Sequence, residues 1–530
     1  MNAESVTADA ALDAAAPGHA ASLIEAWCAR VHESGRAAQL RGADFSLTRQ
    51  ELQARVARLW SVWARAGLQQ GDRVAVQLQN STEMVQAVLA AWWGGAVIVP
   101  VNPMYRQREL EHVLADSGAA VLVFEREAEQ VALPAAEIVG VDRLYSASDI
   151  AEICGDRAVA ASPPDGGTCE RTKLDPSMPA LITYTSGTTG PPKGAVATHG
   201  NLLAGARVYR DAAGVDESGA VLAMAPMCHI TGMVGHLAAA VLTGAELVLI
   251  GRFDAAAALD AIERHQVTFT IGALTAYRAL LGAAAVRPRD VSSLRALYSG
   301  GAPVAPAVAA EVERAFGVPL GNAYGLTEST SISHLTPLGQ RGPIDPSTGA
   351  LSIGRPAPGT RAWIVDESGH RLPAGEPGEL MIDGPGVVAG YWRNEAATDE
   401  AIVGGALRTG DVAVEDAEGW FYLIDRIKDQ INASGYKIWP REVEDVLYEH
   451  PAVAEAAVFG VSDDYRGETV VAAVVLRDGA TASSEDLIAF TRERLAPYKC
   501  PRRVRLLAAL PATSSGKILR RELRLKEETQ

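Results

Sequence analysis

The 530-residue chain is predicted to be an α/β protein, with a large N-terminal domain of α/β subdomains, a small β-rich subdomain within it, and a small α+β C-terminal domain. Three observations predict this. Apolar strand-length runs alternate with helix-length runs from Arg73 onward. Near Gly354 the texture changes to short strands with Gly and Pro turns. Beyond Asp425 a second α/β pattern begins. The length alone calls for roughly two to four domains or subdomains, because a single core stops growing well before this size.

In chain order, the first nineteen residues are Ala-rich without a basic segment ahead of an apolar core, and read as a disordered tail rather than a signal peptide. Strands are expected at Arg73–Leu78, Val97–Val101 and Ala120–Phe124. Helices are expected from a Ser81 cap to Trp93 and over Arg108–Ala115. Ala180–Ile182 reads as a buried strand. Later come helices at Leu203–Ala213, Val234–Leu242 and Asp254–His265, and strands at Ala220–Met224, Glu246–Ile250 and Val267–Ile271. The β-rich stretch runs over about 354–425. A boundary is placed at 426–428, and the last unit, 429–530, carries helices at Arg441–Glu449 and Glu485–Leu495 and strands at Val453–Val461 and Thr469–Leu476.

Bulk properties exclude several classes. A formal net charge of −16 argues against a general nucleic-acid binder, which needs a broad basic surface. No apolar run is long enough to span a membrane. Five dispersed cysteines without a CxxC pair fit a reducing, cytoplasmic compartment and no zinc site. Lys499 to Lys526 holds nine Lys/Arg against one acid, Glu522, which in an acidic chain suggests an anionic ligand or a solvated helix face.

Tyr184-Thr185-Ser186-Gly187-Thr188-Thr189-Gly190-Pro191-Pro192-Lys193-Gly194 is the densest chemical signal. Three glycines and four Ser/Thr hydroxyls let backbone N–H groups and side chains face an anion, and phosphate is the natural ligand. It is not a P-loop, which needs Gly-Lys followed by Ser or Thr. Other unusual segments follow: Ser299-Gly300-Gly301-Ala302, a tight turn after a strand; Asn322 with Tyr324-Gly325-Leu326-Thr327-Glu328; Arg408-Thr409-Gly410-Asp411, which places a carboxylate on a turn; Asp425-Arg426-Ile427-Lys428; Ser434-Gly435-Tyr436; and Ser515-Gly516-Lys517.

Together, in this order, these segments resemble the adenylate-forming (AMP-binding) superfamily of acyl-CoA synthetases, aryl-CoA ligases and adenylation domains, over about Ser22 to Arg521. The resemblance implies an ATP-dependent acid–thiol ligase. The acid and ATP give an acyl-adenylate and pyrophosphate, and the acyl group then passes to CoA. Activation is needed because a carboxylate oxygen does not leave, whereas AMP does. It further implies that Thr185, Ser186, Gly187, Thr188, Thr189, Gly190 and Lys193 hold the β- and γ-phosphates, and that Thr327 meets the α-phosphate. Glu328 would bind Mg²⁺, a hard cation suited to carboxylate and phosphate oxygens. Gly301, Ala302, Asn322, Tyr324 and Gly325 would surround adenine, with Asp411 and Arg426 at the ribose. Lys517 would stabilise charge as the acyl–phosphate bond forms. His229 would gate an acyl pocket lined by Ile230, Thr231, Gly235 and Gly300. Lys428 would be the hinge of a mobile C-terminal domain, and Gly435 and Tyr436 would line the CoA channel in its other position.

Cys228-His229-Ile230-Thr231 lacks the Asp with which amino-acid-activating relatives hold an α-amine. Gly325 replaces the Trp of short-acyl relatives. The implied substrate is a medium or long aliphatic, or an aryl, carboxylic acid. CoA is the expected acceptor, and a separate acyl carrier protein is the alternative. A non-catalytic nucleotide-binding relative is the alternative of another class, weighed against by the full set Thr327, Glu328, Asp411, Arg426 and Lys517.

Overall fold

The computed structural model describes residues 20–155, 171–185, 192–302, 304–346, 349–426, 429–433, 436–463, 467–512 and 518–528. Ser186–Pro191, Lys428, Gly435 and Lys517 therefore lie outside the described residues, as do the side chains of Arg426 and Tyr436.

Two sheets share the principal core. The first has six strands in the order Arg143–Ser146, Ala119–Phe124, Arg73–Gln77, Val97–Pro100, Pro179–Thr185 and Lys193–Thr198. All neighbours are parallel except the last pair. The second has nine strands, with parallel central pairs and antiparallel edges. Against the first sheet packs the helix Thr82–Trp93, capped by Ser81, which buries every residue from Met84 to Trp93. A helix apolar all round must be enclosed on all sides. Its Trp92 indole N–H is satisfied by the Ala180 carbonyl at 2.9 Å, tying the helix to the strand that leads into the phosphate loop.

The expected α/β alternation is present, with three local differences. The phosphate-loop segment joins two antiparallel strands: Thr185 pairs with Lys193 and Tyr184 with Gly194. The two strands form a hairpin. The helix expected at Val234–Leu242 contains a π-helical stretch, Met233–Ala238, between short α-helical pieces. Asp411 is not on a turn. It lies inside the strand Ala406–Glu415, where Gly410 has φ +70 and the ladder changes register beside it. Such a bulge re-aims one side chain without ending the strand.

Strands Arg361–Val365, Gly378–Asp383, Ile402–Val403, Ala406–Glu415 and Phe421–Arg426 form an antiparallel sheet of their own. The C-terminal sheet is built on the long hairpin Val453–Asp463 and Gly467–Leu476. Arg503–Leu506 joins it in parallel, and the helix Pro440–Glu449 packs on it. Among the described residues, no helix is long and apolar enough to cross a membrane.

Candidate active site

A cavity of about 180 Å³ lies where the nine-stranded sheet, the β-rich sheet and the C-terminal unit meet. Its wall includes Gly301, Ala302, Asn322, Tyr324, Gly325 and Asp411, six of the residues expected at adenine and ribose. Strand geometry brings them together. Ala296–Ser299 and Leu320–Tyr324 are neighbours, and both end at the cavity. Beyond the first, Gly301 turns the chain at φ +79. A Cβ on Gly300 would sit 2.8 Å from the Ala323 carbonyl oxygen, so that position requires glycine.

Asn322 is held by two contacts: its N–H donates to Thr336 Oγ1 at 3.0 Å and its amide to the Ser352 carbonyl at 3.2 Å. The Tyr324 hydroxyl donates to Asp411 Oδ2 at 2.6 Å. Behind Tyr324 lie the His334 ring, edge-on at 5.7 Å, and Phe421. Burial lowers the His334 pKa to about 3, so this ring is an uncharged wall. Asp411 is only 1% exposed and pairs across the ladder with Arg426, so the two residues expected at the ribose share one register position.

Gly325 has a steric reason of its own. A Cβ there would run into the Ser331 carbonyl. The missing side chain is thus demanded by this backbone approach, and does not by itself measure the depth of an acyl pocket.

On the phosphate side, Thr327–Ser329 form a 3₁₀ turn that presents Glu328 half-buried. The Tyr391 hydroxyl donates to Glu328 Oε1 at 2.6 Å, and the Lys193 ammonium lies 5.4 Å from the centre of the same ring. Glu328, Lys193 and Thr185, whose hydroxyl donates to the Lys193 carbonyl at 3.4 Å, are therefore linked, although Ser186, Gly187, Thr188, Thr189 and Gly190 lie outside the described residues. Tyr184 turns away, donating to Asp116 Oδ2 at 2.6 Å. Among the described residues, no group of three or more His, Cys, Asp or Glu could cage a metal. One carboxylate, with Oε2 lacking a hydrogen-bond partner among those residues, fits Mg²⁺, which is commonly held by one or two carboxylates plus substrate phosphates.

The residues expected on the acyl side form a separate neighbourhood. His229 precedes the short helix Ile230–Gly232, and burial holds its imidazole below its usual pKa, hence neutral near pH 7. Ile230 is buried and Thr231 half-buried, and neither they nor Gly235 line the nucleotide cavity. Gly235 and Gly300 converge on Ile271: a Cβ on the first would lie 3.0 Å from that side chain, and on the second 3.7 Å. Behind Gly235 stands the fully buried Tyr209, bonded to Ser331 Oγ at 2.8 Å. Cys228 is packing, its thiol pushed up to about 12 by burial.

From the C-terminal unit, Ile518 and Arg520 reach the cavity wall. Ala512 and Ile518, on either side of Lys517 in sequence, form an antiparallel bridge. The basic stretch near Lys499 is largely taken up internally: Lys499 pairs with Glu442 at 2.6 Å, and Arg503 and Arg505 both pair with Glu527. Sequence reasoning missed Tyr391, Tyr209 and Arg520. The Gly390-Tyr391-Trp392 segment, an aromatic pair inside a Gly-rich connector, was the available signal for the first of these.

Comparison with known proteins agrees with this geometry. The family model described as AMP-binding enzyme matches residues 25–392, and the AMP-binding enzyme C-terminal domain matches 442–517. The chain is 37% identical over 497 residues to a long-chain-fatty-acid–CoA ligase of Bacillus subtilis, covering 88% of this chain and 87% of the relative. It is 38% identical over 502 residues to a feruloyl-CoA synthase of an Amycolatopsis species, covering 93% and 97%. The crystal structure of ATP-bound MatB from Rhodopseudomonas palustris superposes with a TM-score of 0.86 at 27% identity, covering 96% of this chain and 99% of that one. With both family models matched in order around one cavity, the chain belongs to the AMP-binding, adenylate-forming enzyme family.

Proposed function

We infer that the chain is an ATP-dependent acyl-CoA synthetase of the AMP-forming, acid–thiol ligase type, using ATP, Mg²⁺ and CoA. The observation that carries the residue-level reading is the cavity itself. Tyr324 and Asp411 meet there on the nucleoside side, with Glu328 and Lys193 joined nearby through Tyr391 and Ile518 arriving from the C-terminal unit.

In this reading the substrate carboxylate attacks the α-phosphorus and pyrophosphate leaves. Asp411 and Tyr324 hold the nucleoside, and Thr327 donates to the α-phosphate. Lys193 and the hydroxyls from Thr185 to Thr189 hold the β- and γ-phosphates, and Glu328 holds the Mg²⁺ that neutralises phosphate charge when bound. Lys517, next to the cavity-lining Ile518, supports the carboxylate oxygen and α-phosphate as the bond forms. The C-terminal unit then turns about Lys428, bringing Gly435 and Tyr436 to the site. A thiolate attacks the acyl carbon and AMP leaves.

We assign the acid to the medium or long aliphatic or the aryl class. Relatives named for long-chain fatty acids and for a feruloyl group support that range. Loading of an acyl carrier protein is the alternative for the acceptor. The internal pairing of Lys499, Arg503 and Arg505 weakens the argument for an acidic protein partner on that stretch. A cytoplasmic location follows from CoA and ATP as substrates. The test is a panel of carboxylic acids with ATP, Mg²⁺ and CoA, read by pyrophosphate release and thioester mass. Acid-dependent pyrophosphate with a CoA adduct is the expected result. Pyrophosphate without the adduct moves the acceptor to a carrier protein, and neither product overturns the enzyme reading.

A further inference from the structure

The segment Gly384–Arg393 behaves as a strap tying two parts of the phosphate site together. Near its start, the Asn201 amide donates to the carbonyls of Pro385 (2.8 Å) and Val387 (2.9 Å), and Thr330 Oγ1 donates to Gly386 at 2.7 Å. In its middle, the Val388 N–H donates to the Glu328 carbonyl at 3.0 Å. Along its second half it exchanges bonds with Val196 through Ala389 and Gly390, and the Trp392 N–H donates to the Gly194 carbonyl at 2.7 Å. The strap therefore lies along the strand that leaves the phosphate loop and beside the turn that carries Glu328. Its backbone is fixed on both sides.

Tyr391 is the side chain at this junction. Its hydroxyl holds Glu328 Oε1 and its ring face lies by the Lys193 ammonium. A free Glu side chain must give up rotamer freedom to present one oxygen in one direction. A hydroxyl already fixed by the strap removes much of that cost. The ring also attracts the ammonium electrostatically. One residue thus spaces a cation that meets phosphate and an anion that meets the metal.

We propose that Tyr391 is a positioning residue that sets Glu328 and Lys193 for recognition of Mg²⁺-loaded ATP, its hydroxyl acting through Glu328 and its ring through Lys193. This rests on the phosphate-side roles given above for those two residues.

The experiment measures ATP binding by calorimetry across a Mg²⁺ titration, and separately in EDTA, with the carboxylic acid omitted so that nothing turns over. Tyr391→Phe keeps the ring and removes the hydroxyl. It is expected to raise the Mg²⁺ concentration for half-maximal ATP binding about tenfold, the scale of a hydrogen bond to a charged group, with metal-free ATP affinity within about twofold of the parent. Tyr391→Leu also removes the ring, and is expected to weaken the metal-free affinity as well. A parental Mg²⁺ midpoint for Tyr391→Phe overturns the proposal, as does an equal loss in EDTA and in Mg²⁺, which would mark a merely structural residue. Glu328→Gln in the same titration separates the two levels. If it leaves the midpoint unchanged, the metal-ligand reading of Glu328 fails. If it shifts the midpoint and Tyr391→Phe does not, only the role of Tyr391 fails.

Discussion

The Tyr324 hydroxyl donates a 2.6 Å hydrogen bond to Asp411 Oδ2, across 87 residues of sequence and between two different sheets. The contact joins the ring expected at adenine to the carboxylate expected at the ribose, so neither side chain is placed alone. A hydrogen bond to a carboxylate contributes about 1.5–3 kcal/mol. Tyr324→Phe is therefore expected to weaken ATP binding about tenfold or more, and Asp411→Ala further still. The double variant should lose less than the sum of the two, because the shared bond is counted once. Calorimetric ATP affinities for the four proteins check this, and strict additivity would refute the coupling.

That pair also shows what the sequence can reveal. Tyr324-Gly325-Leu326-Thr327-Glu328 and Asp411 were recognisable as chemical segments, and the strands that carry them follow from apolar runs. The placement of Asp411 was not legible. Thr409-Gly410-Asp411 has turn chemistry, yet its ladder partners near Glu379 and Arg426 are remote in sequence and keep it in a bulged strand. The phosphate-loop hairpin was hidden for a related reason. Gly and Pro mark a turn without stating which way the next strand runs, and Lys193–Thr198 has too little periodicity to declare itself. Tyr391 acquires its place only through the strap, a tertiary feature with no local pattern.

Tyr209 stands behind Gly235, a residue expected in the acyl pocket. A Cβ on Gly235 would lie 2.7 Å from its ring, and its hydroxyl is anchored to Ser331. Tyr209→Ala should open space behind Gly235 and raise kcat/KM for longer or bulkier acids relative to shorter ones by about tenfold, the scale of one or two methylenes in an apolar pocket. It should also destabilise the fold by about 3–5 kcal/mol as a large buried side chain is lost. Tyr209→Phe keeps the shape and should leave the preference unchanged. A length series of acids assayed with all three proteins decides it. An unaltered preference in Tyr209→Ala would place the pocket floor elsewhere.

Asp445 gives a pH signature to the C-terminal unit. Burial, with Glu444 nearby, raises its pKa to about 6 against the pull of Arg441, whose Nε lies 3.4 Å away. A carboxyl with a raised folded-state pKa binds its proton more tightly when folded than when unfolded. Its stabilising share is thus present below the unfolded pKa, falls as pH rises from about 4 to 6 and stays lost above that. Asp445→Asn cannot ionise. It should be more stable than the parent at pH 7.5 by an amount on the order of 1–3 kcal/mol, and the gain should shrink towards zero near pH 4. Thermal unfolding of both proteins across this range checks the sign; a gain that grows on acidification would contradict it.

Lys517 carries the sharpest prediction about the two half-reactions. Its neighbour Ile518 lines the cavity that holds Tyr324 and Asp411, and Ile518 forms an antiparallel bridge with Ala512. On the proposed reading, Lys517 serves adenylation. A cation placed on developing charge in a water-poor site contributes on the scale of about 10²–10³ in rate. Lys517→Ala should slow acid-dependent pyrophosphate release by at least about that factor, while CoA transfer from supplied acyl-adenylate proceeds near the parental rate, because on the proposed reading the C-terminal unit presents its other face for that step. Lys428→Pro should show the converse bias, sparing adenylation more than thioester formation, since a stiffened hinge holds one arrangement. Assaying each half-reaction separately in both variants tests the assignment. Equal loss of the two half-reactions in Lys517→Ala would remove Lys517 from adenylation, and parental overall turnover in Lys428→Pro would move the hinge elsewhere.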